Sequence, residues 1–512
     1  MPADTAARIR ALLTSGWARF AVLLFAMTAL WSFGMPLMAS PDEPSHAIKA
    51  AAVARGQLDG SLSEDPVQLT EPGRATIVQV PTDLARASAL ADCFRFEEKE
   101  AADCAPALPE REDGLVDAKT YAGQYPPLYY LLVGWPSLVL PGAAALYGMR
   151  LVTALLSTVF LVWGLRRLVG PGTRRGLWGA LVALTPMVFF MAGTVNPNGL
   201  EITSAFAFWT ATTALTRHVP TTRPTPPAGL YVQAAVSGAV LVNLRTSGPV
   251  WAALIVVFAL LVARPGGIRA ALRAPAARWA GVVAVLASVA AVGWLLTHSD
   301  VVSTEGLHPE FAQPRLVIAV MLLSTQTFIE QTIGNFGWLD TEAPFPTVLA
   351  WFAAASALLF LAFAAPAARR AKLAVVLLAG AVILVPIALT VPTAEAAGIV
   401  WQGRYALPLA LGLPLLGGLL VSPVTGDAGR LLDRVHALTI PLLALGHLTA
   451  FYWAARRYAE GADGDWLSFS PEWSSPLGFV PAVGLFSLVV AALAWETWRS
   501  LRRTADLGLY AS

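Results

Sequence analysis

The sequence predicts an all-α integral membrane protein, and three observations carry that reading. Apolar residues make up 56% of the 512 positions and charged residues only 13%. Mean hydropathy is +0.61, beyond what a soluble core of this size requires. Apolar windows of the length needed to cross hydrocarbon, roughly 20 residues each, recur about twelve times from end to end. The chain reads as one polytopic domain over 1–512, with no soluble second domain and no internal repeat. A net charge of +2 gives no basis for a nucleic-acid partner.

The spans fall near 17–38, 145–165, 176–195, 199–216, 228–246, 249–263, 279–297, 346–366, 373–391, 404–421, 437–454 and 478–498. The basic clusters Arg166/Arg167/Arg174/Arg175, Arg264/Arg269/Arg273/Arg278, Arg369/Arg370/Lys372 and Arg499/Arg502/Arg503 then share one side. The positive-inside rule makes that side the cytoplasm and places both termini there. Arg8, Arg10 and Arg19 before the first apolar run resemble a signal-peptide start; the length of the run and the spans behind it favour a retained anchor.

Most acids lie on the other side. The stretch 40–125 reads as a large first extracytoplasmic loop, and 298–345 as a second. Between the first loop and the second span, 126–141 is apolar but short and broken, which favours a re-entrant or interfacial segment. Both cysteines, Cys93 and Cys104, lie in the first loop. A local disulfide is the expectation in an oxidising compartment, against two free thiols.

"SPDEPSHAIK", Ser40 to Lys49, places charge where the chain leaves its first span. Ser40, Pro41 and Glu43 fit a capping box with proline at the first helical position, which alone would account for Glu43. A helix continuing from there sets Asp42, His46 and Lys49 on one face, either a solvated face or part of a site. Asp42 suits a general base, a metal ligand or a first-turn acid. Other outer span ends supply Tyr125, Tyr129 and Tyr130, then Asn196, Asn198 and Glu201, then Arg245, and last Gln402, Arg404 and Tyr405. Each arginine either snorkels or holds a phosphate, for which its planar, permanently charged donors are suited. Tyr129, Tyr130, Trp338 and Tyr405 serve either as interface-belt aromatics or as sugar and lipid contacts.

Taken in order, "PDEPSH", "YPPLYY", "NPN", "FGWLD" and "QGRYALP" resemble one bacterial family of polytopic membrane proteins of unknown function. Its layout is similar to that of GT-C glycosyltransferases, and the resemblance spans nearly the whole chain. It implies a GT-C-like bundle in the bacterial plasma membrane with its site facing outward. The implied donor is a polyprenyl-phosphate-linked sugar, transferred to an envelope glycan or protein acceptor. Asp42, with Glu43 beside it, would occupy the place of the essential loop acid and act as general base. Arg245, Arg404 and Tyr405 would hold the donor phosphate. His46, Lys49, Tyr129, Tyr130, Asn196, Asn198, Trp338, Asp340 and Gln402 are the substrate-binding candidates. No metal is assigned, although Asp42, Glu43 and His46 would also suit a divalent ion. The rival readings are a transporter or flippase of lipid-linked sugars, to which Arg150 and Glu201 near span ends lend support, and an envelope polysaccharide ligase or polymerase. The absence of a phosphate-binding glycine loop argues against a nucleotide-sugar donor.

Overall fold

The computed structural model describes residues 16–63, 75–168, 175–220, 224–298, 308–467 and 469–509; Arg8, Arg10 and Arg174 lie outside them. The described chain is a helical bundle with a small three-stranded sheet at one end. Among the described residues, eight helices are long and apolar enough to cross a membrane: Gly16–Gly34, Gly142–Leu165, Pro275–Thr297, Phe345–Ala364, Arg369–Thr390, Gly403–Val421, Gly426–Glu460 and Phe479–Arg502. The Pro275–Thr297 helix buries only 6% of its apolar window, as a lipid-facing helix would.

The other four expected spans fall short by this measure, each for a local reason. The 176–195 window is split into Gly176–Ala183 and Pro186–Ala192, because Pro186 cannot continue the preceding ladder. Pro197–Thr216 is long enough but is studded with Thr, Ser, Asn198 and Glu201. Ala228–Val242 and Gly248–Leu261 have 15 and 14 residues. The expected second loop holds Pro314–Leu323 and Thr325–Ile333, an apolar pair bent by 49° that is either a broken ninth span or a re-entrant segment within that loop.

Aromatic packing joins the bundle at Trp31. Its ring lies 5.0 Å from Phe336, 5.1 Å from Phe451 and 5.7 Å from Phe190, bringing four distant segments together. At the opposite end from the sheet, Arg370 donates to the Ala263 carbonyl and the Arg264 amide to Thr216, so two of the basic loops meet.

The sheet is built within 40–125. β1 (Ser61–Leu62), β2 (Thr76–Val80) and β3 (Val116–Thr120) are antiparallel in that order. Thr76 pairs with Thr120 and Val78 with Ala118, and these buried positions face the Glu43–Ala54 helix. Thr120 Oγ1 ties the sheet to that helix by donating to the Ser45 carbonyl at 2.7 Å. The 126–141 segment forms two short helices, Leu128–Val133 and Pro136–Val139, with Leu131, Trp135, Leu138 and Val139 exposed. Gly134 between them lies against the Ala50 carbonyl, where an added Cβ would collide. A second hairpin, β4 (Asn335–Phe336) and β5 (Thr341–Glu342), carries the "GWLD" turn. Cys93 and Cys104 are joined in a disulfide.

Candidate active site

The Glu43–Ala54 helix starts differently from the expected capping box. Ser40 does not cap it: its buried Oγ has no hydrogen-bond partner among the described residues, and the N-cap residue is Asp42. Asp42 adopts φ 62°, ψ 0°, the left-handed conformation that costs a residue with a Cβ. Its side chain makes no cap bond and is therefore aimed elsewhere.

Its partner is Arg404. Nη2 of Arg404 donates to Asp42 Oδ2 at 2.8 Å and to the Tyr405 hydroxyl at 3.2 Å. The Arg404 side chain is fully buried while that of Asp42 is 48% exposed, so the arginine lies beneath a carboxylate that reaches the surface. Arg404 Nε and Nη1 have no acceptor among the described residues. The local chain explains the burial: Gly403 rests on the Phe328 carbonyl, where a Cβ would collide, and its amide donates to Gln331 at 2.7 Å.

Arg245 approaches Tyr405 as well. Its guanidinium lies 4.4 Å from the Tyr405 ring centre and 5.8 Å from that of Tyr125, while Arg404 lies 5.0 Å from the Tyr405 ring. Tyr405 thus links two cations that would otherwise repel. His46 completes the cluster, with Nδ1 2.9 Å from the Tyr130 hydroxyl and its ring 5.6 Å from Tyr125. Burial first, then the charges of Arg245 and Arg404, hold its imidazole well below its usual pKa, so it is neutral here.

The other expected site residues have different partners. Glu43 forms a buried bidentate pair with Arg150, at 2.7 and 2.6 Å, and also accepts from the Val195 amide at 3.0 Å. The remaining Arg150 donors go to the carbonyls of Ser32, Met35 and Pro36. Glu43 therefore fastens the segment that carries Asp42. Asp42, Glu43 and His46 do not converge, and no group of three or more His, Cys, Asp or Glu among the described residues could hold a metal ion.

Lys49 is buried and donates to the carbonyls of Leu58 and Gly123; burial, partly offset by Asp59, lowers its pKa to about 8. The solvated-face alternative for His46 and Lys49 is thereby replaced. The Tyr129 hydroxyl meets Thr153 Oγ1 at 2.9 Å, away from Arg404. Asn196 caps the Pro197–Thr216 helix by accepting from the Asn198 amide, and its Nδ2 donates to the Pro41 carbonyl at 3.0 Å. Asn198 donates to Glu201, which also accepts from Ser247 two residues beyond Arg245. Gln402 keeps a buried Oε1 without a partner among the described residues. Trp338 Nε1 donates to the Met38 carbonyl at 3.0 Å, and Asp340 accepts from the Phe96 amide, the Trp338 amide and Thr341.

The sequence signal underrated Arg150 and Tyr125. Arg150 was visible as a charge near an outer span end, and the need to neutralise it pointed to an acid on the same side. Tyr125 stood out only as one aromatic among several.

Among curated proteins, none matches this chain. Among solved structures, the chain is similar to ArnT from Cupriavidus metallidurans bound to undecaprenyl phosphate: 14% identity, 94% of this chain and 78% of that one covered, TM-score 0.45. The sequence profile of the family described as "Predicted membrane protein (DUF2142)" matches residues 25–413, and the chain belongs to that family of membrane proteins.

Proposed function

We propose that this protein transfers a sugar from a polyprenyl-phosphate donor to an envelope glycan or protein acceptor on the extracytoplasmic side. The observation that carries the proposal is Arg404. A buried guanidinium shares one edge with Asp42 and has two N–H groups without acceptors, while a second arginine lies across the Tyr405 ring. The acceptor-free donors of Arg404 beside a second guanidinium suit a ligand with phosphate oxygens, with Asp42 and the Glu201 carboxylate near Arg245 as the counter-charges.

In the proposed reaction Asp42 takes the proton of an acceptor hydroxyl as its oxygen bonds to the anomeric carbon. The bond from that carbon to the phosphate oxygen breaks, and the lipid phosphate leaves with the electron pair. Arg404 and Arg245 stabilise the charge it gains, and the Tyr405 hydroxyl keeps Arg404 in register. Neutral His46 adds no third charge, and Gln402 Oε1 is available to a sugar hydroxyl. Glu43, Lys49, Tyr129, Asn196, Asn198 and Asp340 act by positioning. The disulfide and the meeting of basic loops at the far end support a topology with the site outside and both termini in the cytoplasm.

A transporter or flippase of lipid-linked sugars is the second reading, favoured by the broken pair Gly176–Ala183/Pro186–Ala192 and by the bent pair at 314–333. One experiment separates the two. A deletion strain carries the wild type or Asp42→Asn at matched membrane levels, and lipid-linked sugars and envelope glycan are analysed. Transfer predicts that Asp42→Asn loses one sugar from the glycan and accumulates its lipid-linked donor on the outer face. A normal glycan with Asp42→Asn would remove Asp42 from the chemistry, and donor trapped on the inner face would favour transport.

A further inference from the structure

Between the two cysteines, Phe96 is 64% exposed and has φ 65°. A bulky residue is strained in that conformation, and burial does not repay it here. The surroundings nevertheless enforce it. The Phe96 amide donates to Asp340 Oδ2 at 3.0 Å, and buried Arg457 donates to the carbonyls of Phe94, Glu97 and Glu100 at 2.7, 2.9 and 2.8 Å. The disulfide closes the loop.

The opposing turn is equally constrained, with Gly337 at φ 62° and Leu339 at φ 67°. Gly337 is obligatory on two counts, since an added Cβ would also strike the Asp340 carboxylate and the Tyr458 hydroxyl. The two loops set Phe96 and Trp338 edge to face at 5.8 Å, with the Arg95 guanidinium 5.2 Å from the Trp338 ring. An aromatic surface, exposed at Phe96 and half-buried at Trp338, is thus built at a cost in backbone strain, beside the Met38 carbonyl that Trp338 holds four residues before Asp42.

The rim identifies what the surface fits. Arg95, 6.0 Å from the Phe96 ring, and the exposed Glu97, Glu98, Lys99 and Glu100 flank Phe96 along the chain, and Lys99 pairs with Asp463 at 2.7 Å. Such a rim does not enter hydrocarbon, which excludes a lipid anchor. A ligand with an apolar C–H face and a hydroxyl edge satisfies both parts, and that is the chemistry of a sugar ring. We infer that Phe96, Trp338 and Arg95 form a carbohydrate subsite. Its role as the acceptor subsite rests on the glycosyl-transfer reading; carbohydrate binding itself does not.

The test uses the full chain in detergent, with neutral tetrasaccharides of glucose, galactose, mannose and arabinose, by saturation-transfer NMR and calorimetry. At least one should bind the wild type and Asp42→Asn alike, and Phe96→Ala should weaken it by about tenfold, the order of one aromatic contact. Phe96→Gly relieves the left-handed strain, so it should raise the melting temperature while losing binding, a divergence that misfolding cannot produce. Failure of all four sugars to bind the wild type, or equal binding by Phe96→Ala, overturns the subsite. Loss of vesicle association by Phe96→Ala, with sugar binding intact, would make the patch a membrane contact and overturn it too. Normal transfer by Asp42→Asn combined with loss of binding by Phe96→Ala would sink the transfer mechanism and leave the subsite standing.

Discussion

Asp42 and Glu43 are neighbours in sequence, and each pairs with a buried arginine more than a hundred residues away, yet the two pairs are built in opposite ways. Glu43 and Arg150 are both buried, and every Arg150 nitrogen finds a carboxylate or carbonyl oxygen. Asp42 is half exposed, and Arg404 beneath it keeps two nitrogens without acceptors. A closed pair of this kind fastens the chain, whereas an open one has donors left for a ligand. The difference arises at one residue: the left-handed turn at Asp42 sends its side chain away from the helix end and leaves Glu43 to enter the bundle.

The largest expected effect tests the open pair. Asp42→Asn should lower transfer by about 10²- to 10⁴-fold per folded molecule, the usual contribution of a positioned base. Arg404→Ala should cost about 10²- to 10³-fold, measured as turnover with a lipid-phosphate sugar donor, and Arg404→Lys should recover only part because a lysine lacks the planar fork. Unchanged kinetics in the arginine variants would reassign them to structural support.

The closed pair should respond in stability. Glu43→Gln leaves Arg150 as an uncompensated buried charge and should cost about 3–5 kcal/mol, read from thermal or denaturant unfolding in detergent. Turnover per folded molecule should fall far less than with Asp42→Asn. If both neighbours behave alike, the division between them is wrong.

A smaller effect comes from His46. Its folded pKa is lowered, so below about pH 6.5 the unfolded chain takes a proton that the folded one refuses. Stability should therefore fall as the pH drops below that value, and His46→Gln should flatten the melting-temperature profile between pH 7 and 5. The smallest effect is Ser40→Ala. A capping role would cost about 1 kcal/mol. With no partner for Ser40 Oγ, the change should be near neutral or slightly stabilising.

Membrane class and most of the helices were legible because apolar length is a one-dimensional property. The polar helix at 197–216, the break at Pro186 and the bent pair at 314–333 were not, since hydropathy averages over interruptions that packing inside the bundle resolves. At the site, Arg404 and Arg245 were legible as arginines at outer span ends, and Asp42 as an acid after the first span. The split between Asp42 and Glu43 was hidden, because a helix start reads the same whichever acid turns inward. Lys49 and Asp340 were legible only as charged residues; in the fold, backbone carbonyls engage Lys49, while backbone amides, Thr341 and Arg457 engage Asp340.

The most direct measurement compares Asp42→Asn and Glu43→Gln in one membrane assay, following both the rate of sugar transfer from the lipid-phosphate donor and the amount of folded protein. The account predicts that Asp42→Asn lowers transfer by about 10²- to 10⁴-fold per folded molecule, while Glu43→Gln loses folded protein and keeps transfer in what remains. Retained transfer with Asp42→Asn would contradict it.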